Sequence, residues 1–157
     1  MKCELWWIGK TNADYLKDGI SVYEKRLSKY TSFEIKEIAD QKNAKHLSSN
    51  ELKKKEGNSI LKRLQPKDYV ILLDEKGKSY ISVQFAKYIE KLQNASYQKV
   101  IFIIGGAYGF SEEMYQRAQA KMALSPMTFS HQMVRMIFAE QLYRAFSINN
   151  NEPYHHQ

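Results

Sequence analysis

The sequence predicts an α/β fold: a mostly parallel sheet flanked by helices, built as one domain over residues 1–157. Three observations lead there. Two runs, 69–74 and 99–104, are almost wholly apolar, as strands buried on both faces are. Apolar residues recur at helical spacing in the segments around them. Strand-like and helix-like stretches alternate about five times, the pattern of parallel strands joined by crossover helices.

Taken in order, residues 2–8 form a first strand, and Gly9, Lys10, Thr11 and Asn12 turn the chain. Tyr15, Leu16, Ile20, Tyr23, Leu27 and Tyr30 then mark a helix over about 12–30. Phe33, Ile35 and Ile38 give a one-sided second strand, followed by a polar loop over 39–47. Ser48 and Glu51 have capping-box spacing and start a helix predicted to reach Leu64, with Pro66 as its stop and Gly57 weakening its middle. After the strand at 69–74, residues 76–79 are expected to turn the chain. Ser82 is placed to cap a helix that buries Phe85, Ile89 and Leu92. The strand at 99–104 leads to a helix opened by Ser111, Glu112 and Glu113, whose acids suit its positive end. A brief strand at 122–124 and a final helix over about 132–148 complete the series, before a polar tail.

Composition narrows the class. A chain of 157 residues with 43% apolar content builds one proper core. No apolar run approaches the roughly 20 residues a membrane span needs, and the N-terminus does not read as a signal peptide. The single cysteine, Cys3, has no internal partner, which fits a reducing cytoplasm. The net charge of +7 favours anionic partners. Up to Val70 there are 15 basic and 10 acidic residues, and 9 and 7 thereafter. Much of the excess lies in 42–55 and 62–67, away from the glycine loop in sequence, and suits either a solvated helix face or RNA.

In open α/β sheets, ligands bind beyond the carboxyl ends of the strands. Three segments qualify: Leu72, Leu73, Asp74 and Glu75; the glycine loop Gly105, Gly106, Ala107, Tyr108 and Gly109; and Leu124, Ser125, Pro126, Met127, Thr128 and Phe129. The glycine loop has neither the spacing of a dinucleotide fingerprint nor the lysine of a phosphate loop. It also suits a plain strand-to-helix turn. In the third segment Pro126 withholds backbone from regular structure, leaving N–H and C=O groups for an adenine edge. A buried core loop has the same composition.

The C-terminal region holds further candidates. Arg135 and Arg144 suit phosphate, although Glu140 and Arg144 also have the spacing of a surface pair. His131, near the start of the last helix, reads as a structural histidine. His155 and His156 lack further ligands at metal spacing, so no metal is expected.

The order of these segments resembles the RlmH family of SPOUT methyltransferases, the ribosomal RNA large-subunit methyltransferases H, over essentially the whole chain. The matching residues include Gly9-Lys10, Tyr23-Glu24-Lys25-Arg26-Leu27, Lys55-Glu56-Gly57, Leu73-Asp74 and Ile103-Ile104-Gly105-Gly106. The match is densest at Leu124-Ser125, Met127-Thr128-Phe129, His131, Val134-Arg135, the run from Glu140 to Ala145, and Pro153-Tyr154-His155. Ser130 stands where related chains often carry proline, and Ala107, Tyr108 and His156 fall at variable positions.

This resemblance implies a deep trefoil knot over about 70–157, a homodimer, and S-adenosylmethionine held by Leu73, Gly105 and the loop of Leu124, Ser125, Pro126, Met127, Thr128 and Phe129. It implies methylation of N3 of pseudouridine 1915 in helix 69 of 23S ribosomal RNA, on the assembled ribosome. Tyr154, His155 and Arg144 are then the expected catalytic residues, with Arg135, Arg144 and His131 on RNA. A non-catalytic RNA-binding protein that keeps the fold is the alternative.

Overall fold

The computed structural model describes residues 1–156. The element order is β1 (Lys2–Ile8), α1 (Asp14–Leu27), β2 (Ser32–Ile38), a 3-10 turn (Ala44–His46), α2 (Ser49–Leu61), β3 (Tyr69–Ser79), α3 (Ser82–Asn94), β4 (Lys99–Ile104), α4 (Glu112–Arg117), β5 (Ala120–Ala123) and α5 (Met133–Asn149). The five strands form one sheet in the order β2-β1-β4-β3-β5, and every neighbouring pair is parallel. Parallel neighbours cannot be joined by tight turns, so helices must cross over the sheet between them.

Both faces are covered, and the period of two along the strands decides which residue goes where. Cys3, Leu5 and Trp7 of β1, with Val100, Phe102 and Ile104 of β4, pack against α1, α3 and α5. Their alternates Trp6, Ile8, Ile101 and Ile103 pack with Ile60 of α2 and Met114 of α4. The run Val100–Ile104 of β4 is thus wholly apolar because it has no solvent side, while β1 interrupts its own run with Glu4, buried and paired with Lys36 at 3.1 Å. Tyr69–Ser79 carries this only as far as Leu72, after which burial falls away.

The caps follow local chemistry. The Ser48 hydroxyl accepts from the Glu51 N–H at 3.1 Å, and that of Ser111 from the Met114 N–H at 3.4 Å. α2 ends at Leu61, short of Leu64. Gly57, expected to weaken it, instead lets α2 close on Ser111 and Met114. Ile81, not Ser82, occupies the cap of α3; the Ile81 N–H donates to the Gln84 side chain at 3.1 Å. Ser82 instead donates its hydroxyl to Gln141 of α5, also at 3.1 Å.

The largest departure is in β3. The expected turn at 76–79 is an excursion inside a strand. Met122 of β5 pairs with Leu73 before it and with Lys78 after it. The Lys76 N–H donates to Asp74 Oδ1 at 2.9 Å within the excursion. The chain then rejoins β5 so closely that a Cβ on Gly77 would lie 2.5 Å from the Met122 nitrogen. Polar residues hid the strand because this stretch is exposed, and pattern reading depends on burial.

Gly77→Ala therefore forces β5 and β3 apart. Denaturant unfolding should show a loss of about 1–3 kcal/mol, the usual cost of overpacking against backbone; unchanged stability would mean that β5 yields freely.

Candidate functional site

The carboxyl ends of β3, β4 and β5 open into one cavity of about 760 Å³. Leu73, Gly105 and all of Leu124, Ser125, Pro126, Met127, Thr128 and Phe129 line it, with Ile104, His131 and Val134. Three segments distant in sequence are thus brought together by parallel strand ends. The loop at 126–129 is exposed rather than buried, with Met127 76% accessible. The Ser125 hydroxyl accepts from the Met127 N–H at 3.0 Å and sets the turn there.

Asp74, from the first candidate segment, is joined on the lining by residues the sequence did not single out, Tyr115 among them. Asp74 accepts the hydroxyl of Tyr115, and both border the cavity. Burial, with that carboxylate beside it, pushes the Tyr115 phenol well up, so the hydroxyl stays a donor. Asn50, Lys53 and Lys54 of α2 form another wall, next to the glycine loop. Their spacing at three and four residues puts them on one helix face, but nothing local says which cavity that face meets. Of the lysines at 42–55, remote from the glycine loop in sequence, Lys53 and Lys54 share its cavity in space.

The C-terminal candidates divide into two groups. Arg135 is turned inward and only 1% accessible. Its guanidinium donates to the carbonyls of Ile8 at 2.8 Å and Gly9 at 3.2 Å and to the Thr11 hydroxyl at 2.9 Å, and it lies over the Trp7 ring at 4.8 Å. It holds the end of β1 to the start of α5, and presents nothing to an RNA phosphate. The physical reason is that three acceptors at a strand end match the guanidinium fork. His131 is exposed and borders both the main cavity and a second one of about 520 Å³ at the ends of β1 and β2.

Arg144, Tyr154 and His155 do come together, around Glu140. Arg144 donates to Glu140 Oε1 from Nε at 3.0 Å, and Tyr154 donates its hydroxyl to the same oxygen at 2.9 Å. The guanidinium lies 4.7 Å over the Tyr154 ring and meets His155 Nδ1 at 3.0 Å. Burial first, then hydrogen bonding, pushes the Tyr154 phenol up, so it too remains protonated. None of the three lines the cavity of their own chain. Arg144 lies ten residues beyond Val134 on α5, about 15 Å along the axis. Among the described residues, no group of three or more His, Cys, Asp or Glu side chains is placed to share a metal ion, and no helix is long and apolar enough to cross a membrane.

One buried acid supports the glycine loop from behind. A Cβ on Gly106 would come within 2.6 Å of Glu56 Oε1, so the loop backbone rests on this carboxyl group. Burial, with Asp40 nearby, pushes Glu56 from an ordinary 4.5 up to about 7. The folded protein therefore holds a proton there that the unfolded chain has lost. Stability should fall as pH rises from about 4.5 to about 7, by roughly 3 kcal/mol for a displacement of that size. Glu56→Gln should remove this dependence and raise the melting temperature at pH above about 7; an identical pH profile in the variant would contradict the buried, protonated state.

Comparison with known proteins fits this geometry. The family model described as "Predicted SPOUT methyltransferase" matches residues 1–155. A protein of Parabacteroides distasonis named ribosomal RNA large subunit methyltransferase H is 54% identical over 157 residues, covering 100% of both chains. One of the same name from Cytophaga hutchinsonii is 55% identical over 156 residues, covering 99% of this chain and 100% of that one. The solved structure of a probable methylase family protein from Haemophilus influenzae superposes with a TM-score of 0.51, over 99% of this chain and 70% of that one. At 12% identity that likeness concerns the fold alone. The strand ends that enclose the cavity and the sequence match over the whole length agree: this chain belongs to the SPOUT methyltransferase family, among the ribosomal RNA large subunit methyltransferases H.

Proposed function

We propose that this protein transfers a methyl group from S-adenosylmethionine to N3 of pseudouridine 1915, in helix 69 of 23S ribosomal RNA. It acts as a homodimer on the assembled ribosome in the cytoplasm. The observation that carries this reading is the convergence of Leu73, Gly105 and the loop at 124–129 on one cavity, in a chain whose full-length relatives bear the name of that enzyme class.

The cavity suits the cofactor by size and by chemistry. About 760 Å³ falls within the range that encloses a drug-sized ligand. Leu73, Ile104, Leu124 and Val134 offer apolar walls for the faces of a purine, while Pro126 keeps the loop backbone out of regular structure and free for its edge. When bound, the cofactor supplies a methyl group already made electrophilic by its sulfonium. The chain then has to orient the base, exclude water and let the N3 proton leave.

Orienting the base and closing over it fall to Glu140, Arg144, Tyr154 and His155; the N3 proton leaves to a solvent base, since both Glu140 oxygens already accept and the other three hold their protons. Glu140 fixes Arg144 and Tyr154 through one oxygen. Arg144 can only donate, so His155 Nδ1 accepts and the ring proton resides on Nε2. That Nε2 is buried and has no partner. It is therefore available to donate to an oxygen of the base, and His155 removes no proton while Arg144 holds Nδ1. Arg144 and His131 take phosphate or base contacts; Arg135, bonded inward, does not. Because the cluster lies about 15 Å along α5 from the cavity wall, this reading has the cluster of one subunit complete the cavity of the other. It also takes residues 70–157 as a deep trefoil knot, in keeping with the close passage of β3 against β5 at Gly77.

Mass mapping of helix 69 nucleotides, from ribosomes incubated with the protein and S-adenosylmethionine, tests the reaction. One methyl group should appear on the pseudouridine only when both are present. Unmodified RNA, with no cofactor binding in calorimetry, would favour a non-catalytic RNA-binding protein.

His155→Ala should lower methyl transfer by about 100-fold, the low end of the loss when one hydrogen-bond donor aimed at developing charge is removed. His155→Gln, which keeps an N–H, should restore part of it, with cofactor affinity unchanged in both. Full activity in the alanine variant would remove His155 from the mechanism.

A further inference from the structure

Most of the net charge of this protein is carried by one short stretch. Residues 42–67 hold eight basic side chains against two acidic ones, a local charge of +6 in a chain whose total is +7. One of those two acids, Glu56, is buried behind the glycine loop and pushed up to about 7. The outward side of α2 is therefore almost purely cationic. Lys42, Lys45, Lys54, Lys55, Lys62 and Lys67 are exposed, and none forms an ion pair with a carboxylate among the described residues. Elsewhere lysines do pair: Lys2 with Glu34 at 2.7 Å and Lys36 with Glu4 at 3.1 Å.

This cationic helix does not sit at random on the surface. Its inner edge, Asn50, Lys53 and Lys54, lines the same cavity as the loop of Leu124 to Phe129. The other end of the helix leads away from the mouth with Lys62. Thirteen residues of helix span about 20 Å, long enough to follow several phosphates of one strand. We infer that α2 and the loop before it form the arm that grips the RNA backbone beside the target nucleotide, through Lys45, Lys55 and Lys62. The inference rests on the reading of the substrate as RNA and names the element that binds it.

Two other occupants fit less well. The carboxylate of a bound cofactor needs one cation at the cavity wall, whereas the row continues well outside it. An anionic membrane surface calls for an amphipathic helix with an apolar wedge. No large apolar side chain in 42–67 is exposed; those that are, such as Met127 and Tyr108, lie elsewhere. A single-stranded RNA backbone needs neither, only a row of cations at the mouth of the site.

The test uses the full chain carrying Lys45→Gln, Lys55→Gln and Lys62→Gln together, none of which lines the cavity. All three side chains are exposed, and the melting temperature checks the fold. Equilibrium binding to large ribosomal subunits is measured across a salt series, beside cofactor calorimetry and methyl transfer. The triple variant should bind RNA at least about tenfold more weakly at moderate salt, with the slope of log K against log salt reduced by about 2. Its cofactor affinity and kcat should stay within about twofold of the parent while KM for the subunits rises. The triple arginine variant should keep the parent's affinity. Unchanged RNA affinity and slope overturns the inference. Cofactor affinity falling in step overturns it too, and assigns the lysines to the cofactor. So does intact RNA binding with lost binding to phosphatidylserine vesicles. If the parent binds RNA through these lysines but methylates nothing, the arm stands and the proposed reaction falls; if the parent binds no RNA, both fall.

Discussion

A buried guanidinium holds the two ends of this fold together. Arg135 stands at the start of α5 and reaches 127 residues back along the chain to the carbonyl of Ile8. It satisfies the end of β1, where parallel pairing stops and backbone oxygens would otherwise be buried unpaired. Gln132 adds to the same seam, accepting from the Asn12 N–H at 2.9 Å and donating to the Lys10 carbonyl at 3.2 Å. Burial opposes the charge, and three hydrogen bonds with the Trp7 face beneath offset it. The loop at 124–131 is thereby anchored at both ends, by β5 on one side and by this seam on the other. The far end of the cavity wall is thus tied to the end of β1.

The location of the cavity follows from the sheet. Parallel strands deliver their loops to one edge, and three of those loops meet there. The Glu140 cluster has a different origin: helical spacing puts Arg144 four residues after Glu140, and the tail folds back to lay Tyr154 against Tyr143 at 4.8 Å. One arrangement is a product of strand ends, the other of a helix face with its own tail. The spacing of α5 keeps the two apart within a chain. The cluster is assembled without any ligand, a single carboxylate oxygen orienting both the guanidinium and the phenol.

Much of this was readable in the residues. The strands β1 and β4, the serine caps at Ser48 and Ser111, and the buried side of α3 follow from burial period and local hydrogen bonding, which act over a few residues. The three cavity loops follow from the general rule for open sheets. The course of β3 beyond Leu73 did not, because an exposed strand has no apolar signature. The fate of Arg135 did not either. In sequence it is one cation among twenty-four basic residues, and only the distant carbonyls of β1 distinguish it from Arg144.

What the sequence determined by itself is therefore local and periodic: the alternation of elements, their caps, the apolar strands, and through many separated matches the family. Tertiary structure alone decided which cations face inward, which line the cavity and which stay free. Arg135, Lys53 and Lys54, and Lys62 have those three fates. The reason is physical. A hydrophobic period is felt within one helix or strand, whereas the partner of a charge is set by whatever the rest of the chain brings within a few ångströms of it.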